Sequence, residues 1–145
     1  MTINLRGLSE SDMQFLLDTS VVSDLVKAPQ GKCAARIATV GENNVCTSII
    51  VVCELRYGAV KKNSTRLSRQ LETVLSALEV VPFESPADTI YSKVRTRLEA
   101  AGTPIGGNDL LIASQALALG LTLVTDNESE FARVPGLTVE NWLRS

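Results

Sequence analysis

The chain has 145 residues, of which 45% are hydrophobic and 21% charged, enough for one globular domain with a proper core and little room for a second. A formal net charge of -2 and a sequence pI near 5.2 exclude an overall cationic field, so any nucleic-acid binding must come from a local patch. Histidine is absent, which excludes Ser-His-Asp and Cys-His catalysis, histidine acid–base ribonuclease chemistry and histidine-containing zinc sites.

Neither G-x-x-x-x-G-K-S/T nor G-x-G-x-x-G occurs, so the usual nucleotide cradles are missing and carboxylates are left to carry any chemistry. Cys33, Cys46 and Cys53 make an odd count without a C-x-x-C pair, and are expected to be reduced, buried thiols in a cytoplasmic protein. No apolar run approaches the ~20 residues of a spanning helix, and the N-terminus lacks the pattern of a secretory leader. No membrane role is expected.

In chain order, residues 1–12 are polar and aperiodic and read as a loose extension, with a single domain over 13–145. Gln14-Phe15-Leu16-Leu17 is a short apolar run that reads as a strand. Asp18-Thr19-Ser20 then makes a turn in which Thr19 or Ser20 caps a helix from Val21 to Lys27, stopped by Pro29. Residues 32–40 form a modest helix closed by Gly41. Further on the local signals conflict: Ile49-Ile50-Val51-Val52 is β-branched, yet Ser48 can cap a helix through Glu54, Leu55 and Tyr57. The stretch reads as a short strand followed by that helix. Glu54 then sits in an apolar segment, where an unpaired carboxylate costs roughly several kcal/mol unless it is paired, protonated or bound to metal.

Arg56, Lys61, Lys62, Arg66 and Arg69 form a local basic patch, partly on an amphipathic helix with Leu67, Leu71, Val74 or Leu75, and Leu78 on its apolar face. Residues 79–83 read as a strand. Ser85-Pro86-Ala87-Asp88 is close to a capping box with proline in the first helical position. The helix it opens continues to Gly102 and presents Lys93, Arg95 and Arg97. Gly106-Gly107 leads into Asn108 or Asp109 as N-cap of a helix ended by Gly120. Leu121 to Thr125 is a buried-type strand leading to Asp126, and residues 137–139 form a last short strand before Trp142.

This alternation implies an α/β fold, a three-layer α/β/α sandwich around a mainly parallel sheet. Asp18 and Asp126 would then end strands, and Glu54 and Asp109 would lie early in helices on the same rim. At an effective dielectric constant near 20 and about 5 Å apart, each fully ionised pair of these acids would repel by roughly 3 kcal/mol. Such a cluster calls for cations or shared protons, and its hard oxygen donors suit Mg²⁺, with Mn²⁺ as a substitute.

Residues 13–143 resemble the PIN-domain ribonucleases, and among them the VapC-type toxins of bacterial toxin–antitoxin pairs. The resemblance is carried by Leu16-Leu17-Asp18-Thr19-Ser20, Cys53-Glu54-Leu55-Arg56-Tyr57-Gly58, Gly102-Thr103-Pro104-Ile105-Gly106 with Asn108-Asp109-Leu110-Leu111-Ile112-Ala113, and Val124-Thr125-Asp126-Asn127 followed by Glu130-Phe131. Val134-Pro135-Gly136-Leu137 and Glu140-Asn141-Trp142 extend it. It implies a sheet of order 3-2-1-4-5, a homodimer, and endonucleolytic cleavage of tRNA or other structured RNA, held in check by a VapB-like antitoxin. It also implies that Asp18, Glu54, Asp109 and Asp126 are both the metal ligands and the catalytic residues, holding one or two Mg²⁺ ions. Ser20 and Asn127 would support these ligands, Glu128 and Glu130 read first as surface acids, and the basic helices would grip the RNA backbone. Gln115 stands where a histidine is common in such proteins. Two other readings stay open: a PIN-like module that binds without cutting, and a phospho-receiver signalling domain, which lacks its acidic pair and late lysine here.

Overall fold

The structure is a computed structural model and describes residues 13–144, so the extension expected over 1–12 lies outside the described residues. Five strands, β1 (Phe15–Leu17), β2 (Val45–Ser48), β3 (Glu79–Val81), β4 (Thr122–Val124) and β5 (Val139–Glu140), form one sheet in the order β3-β2-β1-β4-β5. All four pairings are parallel. The final strand lies further along the chain than the expected 137–139.

Parallel strands need crossovers, and these are right-handed, so the walk β1 to β2 to β3 puts its helices on one face and the return to β4 puts the next helices on the other. The first group is α1 (Thr19–Lys27), α2 (Lys32–Val40), α3 (Ile49–Lys62) and α4 (Thr65–Ala77); the second is α5 (Ala87–Ala100) and α6 (Gly107–Leu119), with short α7 (Glu128–Phe131) before β5. Within the groups, α1 packs on α2, α3 and α4, and α5 packs on α6. A sheet covered on both faces buries its central strands, and accordingly every residue of β2 is buried, along with Leu16, Leu17, Leu123 and Val124; the buried Thr47 hydroxyl donates to the Leu17 carbonyl at 2.7 Å.

Between β1 and β4 the strand order reverses, and in open α/β sheets such a switch point opens a crevice at the strands' carboxyl ends. Leu17 is aligned with Val124 across this junction, and the Asp18 amide donates to the Val124 carbonyl at 2.9 Å. The chain leaving β1 and the chain leaving β4 therefore enter the crevice side by side.

Several helix starts differ from expectation. The cap of α1 is Asp18 itself, whose carboxylate accepts from the Thr19 amide, and neither Thr19 nor Ser20 serves. Helix α6 begins at Gly107 with Gly106 as the preceding cap, so Asp109 is its third residue and neither Asn108 nor Asp109 is the cap. Pro86 occupies the cap position of α5 rather than its first turn, and no side chain caps that helix. Ser48 does cap α3, accepting from the Ile50 amide at 3.0 Å, while Gly120 ends α6 in the left-handed region at φ 67. In α3 the helix wins over the β-branched run because Val51 and Val52 are buried in the core from that helix.

Candidate active site

Asp18 is 5% exposed, and both of its carboxylate oxygens are held. One accepts from the Thr19 amide and the other from the Thr125 hydroxyl, each at 2.6 Å. Burial raises its pKa above the usual carboxylate range, with those hydrogen bonds opposing and the nearby Glu54 charge adding to the rise. Thr125 also accepts from the Asn127 amide at 3.0 Å, so its one hydroxyl ties the end of β4 to Asp18. Replacing Thr125 with Val keeps the volume but leaves a buried carboxylate short of a donor, a loss of about 1–3 kcal/mol. A melting temperature unchanged in Thr125→Val would show that this hydroxyl is not what holds Asp18.

Glu54 reaches the same crevice from the second turn of α3 and accepts from the Thr19 hydroxyl at 2.6 Å. It is half-buried, so the deep burial expected from its apolar segment does not occur. The helix faces the crevice edge at this turn rather than the core. The same rotation leaves Cys53 exposed, against the expectation of three buried thiols; Cys33 and Cys46 are buried as expected.

Asp109 enters from the first turn of α6, and its carboxyl is pushed up to about 8. Burial is the largest cause, followed by a hydrogen bond to Glu130 and then by the charges of Glu130, Asp18 and Glu54. Glu130 moves the opposite way. It is held below its ordinary range by the hydrogen bond from Asp109, then by the Gly106 amide at 2.9 Å, with the Asn127 side-chain amide at 2.5 Å also contributing. Physically, the two acids share one proton, which sits on Asp109 and is donated to Glu130.

Asp126 follows β4 on the exposed rim. Its amide donates to the Ser20 hydroxyl at 3.1 Å and its carboxylate accepts from Asn141 at 3.0 Å. Asp18, Glu54 and Asp109 thus act on one another electrostatically, Glu130 completes that group, and Asp126 stands beside it, engaged with Asn141. The surface role expected of Glu130 therefore understates it. The signal in the sequence is its place two residues beyond Glu128 in the short turn after the β4 Asp, where a single helical turn brings it back toward Gly106. No sequence pattern singles out Thr19 or Thr125 as a partner of these acids, although each directly neighbours one of the Asp residues.

Among the described residues, no three acids already stand as a finished metal cage, and no ion pair involves Asp18, Glu54 or Asp109. The donor set still fits a hard divalent cation. It is all oxygen, it is anchored by backbone and hydroxyl donors, and it carries a proton between Asp109 and Glu130 that stands where positive charge is wanted. Gln115, at the position where a histidine is common, is buried, and its amide nitrogen donates to the carbonyls of Val81 and Pro82 at 3.0 and 2.8 Å. The basic patch after Leu55 is partly neutralised, since Arg56 pairs with Glu72, while Lys61 keeps its charge and lies over the Tyr57 ring.

Residues 15–137 match the PIN domain family. Ribonuclease VapC2 of Rickettsia felis is 39% identical over 132 residues, 90% of this chain and 98% of that protein. The tRNA(fMet)-specific endonuclease VapC of Salmonella typhimurium is 34% identical over 131 residues, again 90% and 98%. Among solved structures, VapBC2 from Rickettsia felis bound to a DNA fragment from its promoter superposes with a TM-score of 0.84 at 38% identity, covering 90% of this chain and 99% of that one. DNA-bound VapBC from Salmonella typhimurium superposes with a TM-score of 0.80 at 34% identity, covering 90% and 98%.

Proposed function

The chain belongs to the PIN-domain family, with VapC ribonucleases among its relatives, and from that premise we propose that it is a Mg²⁺-dependent endoribonuclease and the toxin of a toxin–antitoxin pair. The observation that carries this is the mutual electrostatic influence of Asp18, Glu54 and Asp109 at the switch point, with no ion pair to any of them among the described residues. Asp18, Glu54, Asp109 and Asp126 are the residues that would hold the metal. When bound, Mg²⁺ supplies a Lewis acid that activates water and offsets charge developing on the phosphodiester.

The chain's own residues do the rest. Thr19 and Thr125 fix the Asp18 and Glu54 oxygens so that the donors are in place before substrate arrives, which removes a reorganisation cost from the reaction. The proton shared by Asp109 and Glu130 is the one a bound cation would displace, while Glu130 is anchored on the Gly106 and Asn127 donors. The family premise removes the phospho-receiver reading. Against an inactive binding module stands the retention of all four acids in the sequence, three of which act on one another electrostatically.

The substrate we propose is tRNA, with initiator tRNA first to be tried because the Salmonella typhimurium relative is a tRNA(fMet)-specific endonuclease. The active form is proposed to be a cytoplasmic homodimer, silenced by a small VapB-like antitoxin that covers the acids with a bidentate arginine or a lysine. The test is cleavage of a total cellular RNA pool with Mg²⁺ and with chelator, with the cut ends mapped. Discrete tRNA fragments with Mg²⁺, lost on chelation and on coexpression with a neighbouring small reading frame, are expected. An intact RNA pool under all conditions would leave the chain as a binding module.

A further inference from the structure

A groove of about 430 Å³ runs between α2 and the C-terminal segment, lined by Lys32, Arg36, Thr39, Asn141, Trp142 and Arg144. Its cations come from opposite ends of the chain, which is why no basic cluster is visible there in the sequence. Lys32 and Arg36 are one helical turn apart and share a face of α2. The Arg36 guanidinium lies 5.7 Å from the centre of the Trp142 ring, which limits its freedom.

The groove adjoins the acid cluster. Asn141, on its wall, donates to the Asp126 carboxylate at 3.0 Å. The first turn of α2 is also beside Asp126: burial pushes the Cys33 thiol up to about 12, with the charges of Asp24 and Asp126 adding to the rise. The Arg36 and Arg144 ion pairs are long, at 3.7 Å to Glu140 and 3.9 Å to Glu128, and both are well exposed. Pairs of that kind contribute little, so a phosphate can displace them.

We propose that this groove binds the sugar-phosphate backbone of the RNA strand as it leads to the acid cluster, a path that rests on the nuclease reading above. The chemistry favours backbone over base. The groove offers guanidinium and amide N–H groups, whereas its one aromatic ring is 5% exposed and already covered by Arg36, so it presents no stacking surface. Asn141, which gives one amide N–H to Asp126, keeps a second able to orient a phosphate oxygen, whereas the Thr39 hydroxyl is already donated to the Ala35 carbonyl at 3.1 Å. Asn141 is the link between this groove and Asp126.

The test compares binding of a deacylated tRNA pool across a salt series, in an Asp109→Asn background that does not cut. Arg36→Gln/Arg144→Gln removes two cations and Arg36→Lys/Arg144→Lys keeps them. Because two phosphates are then no longer neutralised, the Gln double variant should show a log-log salt slope shallower by about 1.4 and about ten-fold weaker binding at low salt, and the Lys variant should regain the slope. An unchanged slope in the folded Gln variant overturns the proposal. So does intact RNA binding with loss of antitoxin binding, since the groove then serves a protein partner. Whether the otherwise unaltered chain cuts RNA is scored separately, so failure of the nuclease reading and failure of the groove are told apart.

Discussion

Asp109→Asn is expected to slow RNA cleavage by about a thousand-fold or more and to abolish growth inhibition, while the protein stays folded and its chelated form melts higher than the chelated parent. The rate effect follows from removing one ligand charge: several kcal/mol of lost charge stabilisation corresponds to about three powers of ten. The stability effect follows from Glu130. In the absence of metal, Asp109 must keep a proton in order to donate to Glu130, and it does so beside the charges of Asp18 and Glu54. An asparagine amide makes the same donation with no proton to take up on folding. Near full activity in this variant would remove Asp109 from the metal site. A chelated variant that melts lower, with an undiminished response to Mg²⁺, would make Asp109 a structural residue of the first turn of α6.

Chelated protein is expected to lose stability as pH rises from about 4 to about 8, and Mg²⁺ to reverse that trend. Asp109 has an unfolded pKa near 3.8 and a folded value of about 8, and burial also raises Asp18. Between those values the folded state binds more protons than the unfolded state. The stabilisation is therefore complete below pH 4 and is lost as pH climbs through the folded value. Glu130 is shifted the other way by the same hydrogen bond and offsets part of the change. Asp109 is also only half-buried, so after solvent screening the net fall is about 1–2 kcal/mol, or roughly 3–8 °C in melting temperature. Metal competes with the shared proton, so its affinity grows with pH and the Mg²⁺-induced rise in melting temperature should be larger at pH 8 than at pH 5. A melting temperature independent of pH in the chelated protein would mean that no proton is shared at this site. For Asp109→Asn the slope should be largely flattened.

The two expectations depend on the same geometry from different sides. One reads the chemistry through the loss of a ligand, and the other reads the electrostatic strain that exists before any ligand arrives. A metal site lacking Asp109 would keep cleavage in the first experiment and leave the pH slope of the second untouched, because that slope reads only the proton shared with Glu130.

Local patterning in the sequence determined the order and type of the elements. Short apolar runs ending in Asp18 and leading to Asp126, helices opened by Ser48 and closed by Gly120, and the alternation of the two periods were sufficient for a parallel sheet and for acids on one rim. These features depend on residues a few positions apart, where backbone geometry fixes the relation. Tertiary structure decided which side chains meet. Asp109 shares its proton with Glu130, 21 positions later, because the loop before α6 and the turn after β4 both cross the switch point; Asp126 turns instead to Asn141. Asp18 rather than Thr19 or Ser20 caps α1, because Thr19 is drawn to Glu54 and Ser20 to the Asp126 amide. The basic groove joins α2 to the last residues only because β5 lies at the sheet edge beside β4. Contacts of that range depend on strand order and on the rotation of each helix about its axis, and neither is encoded in any stretch short enough to read by pattern.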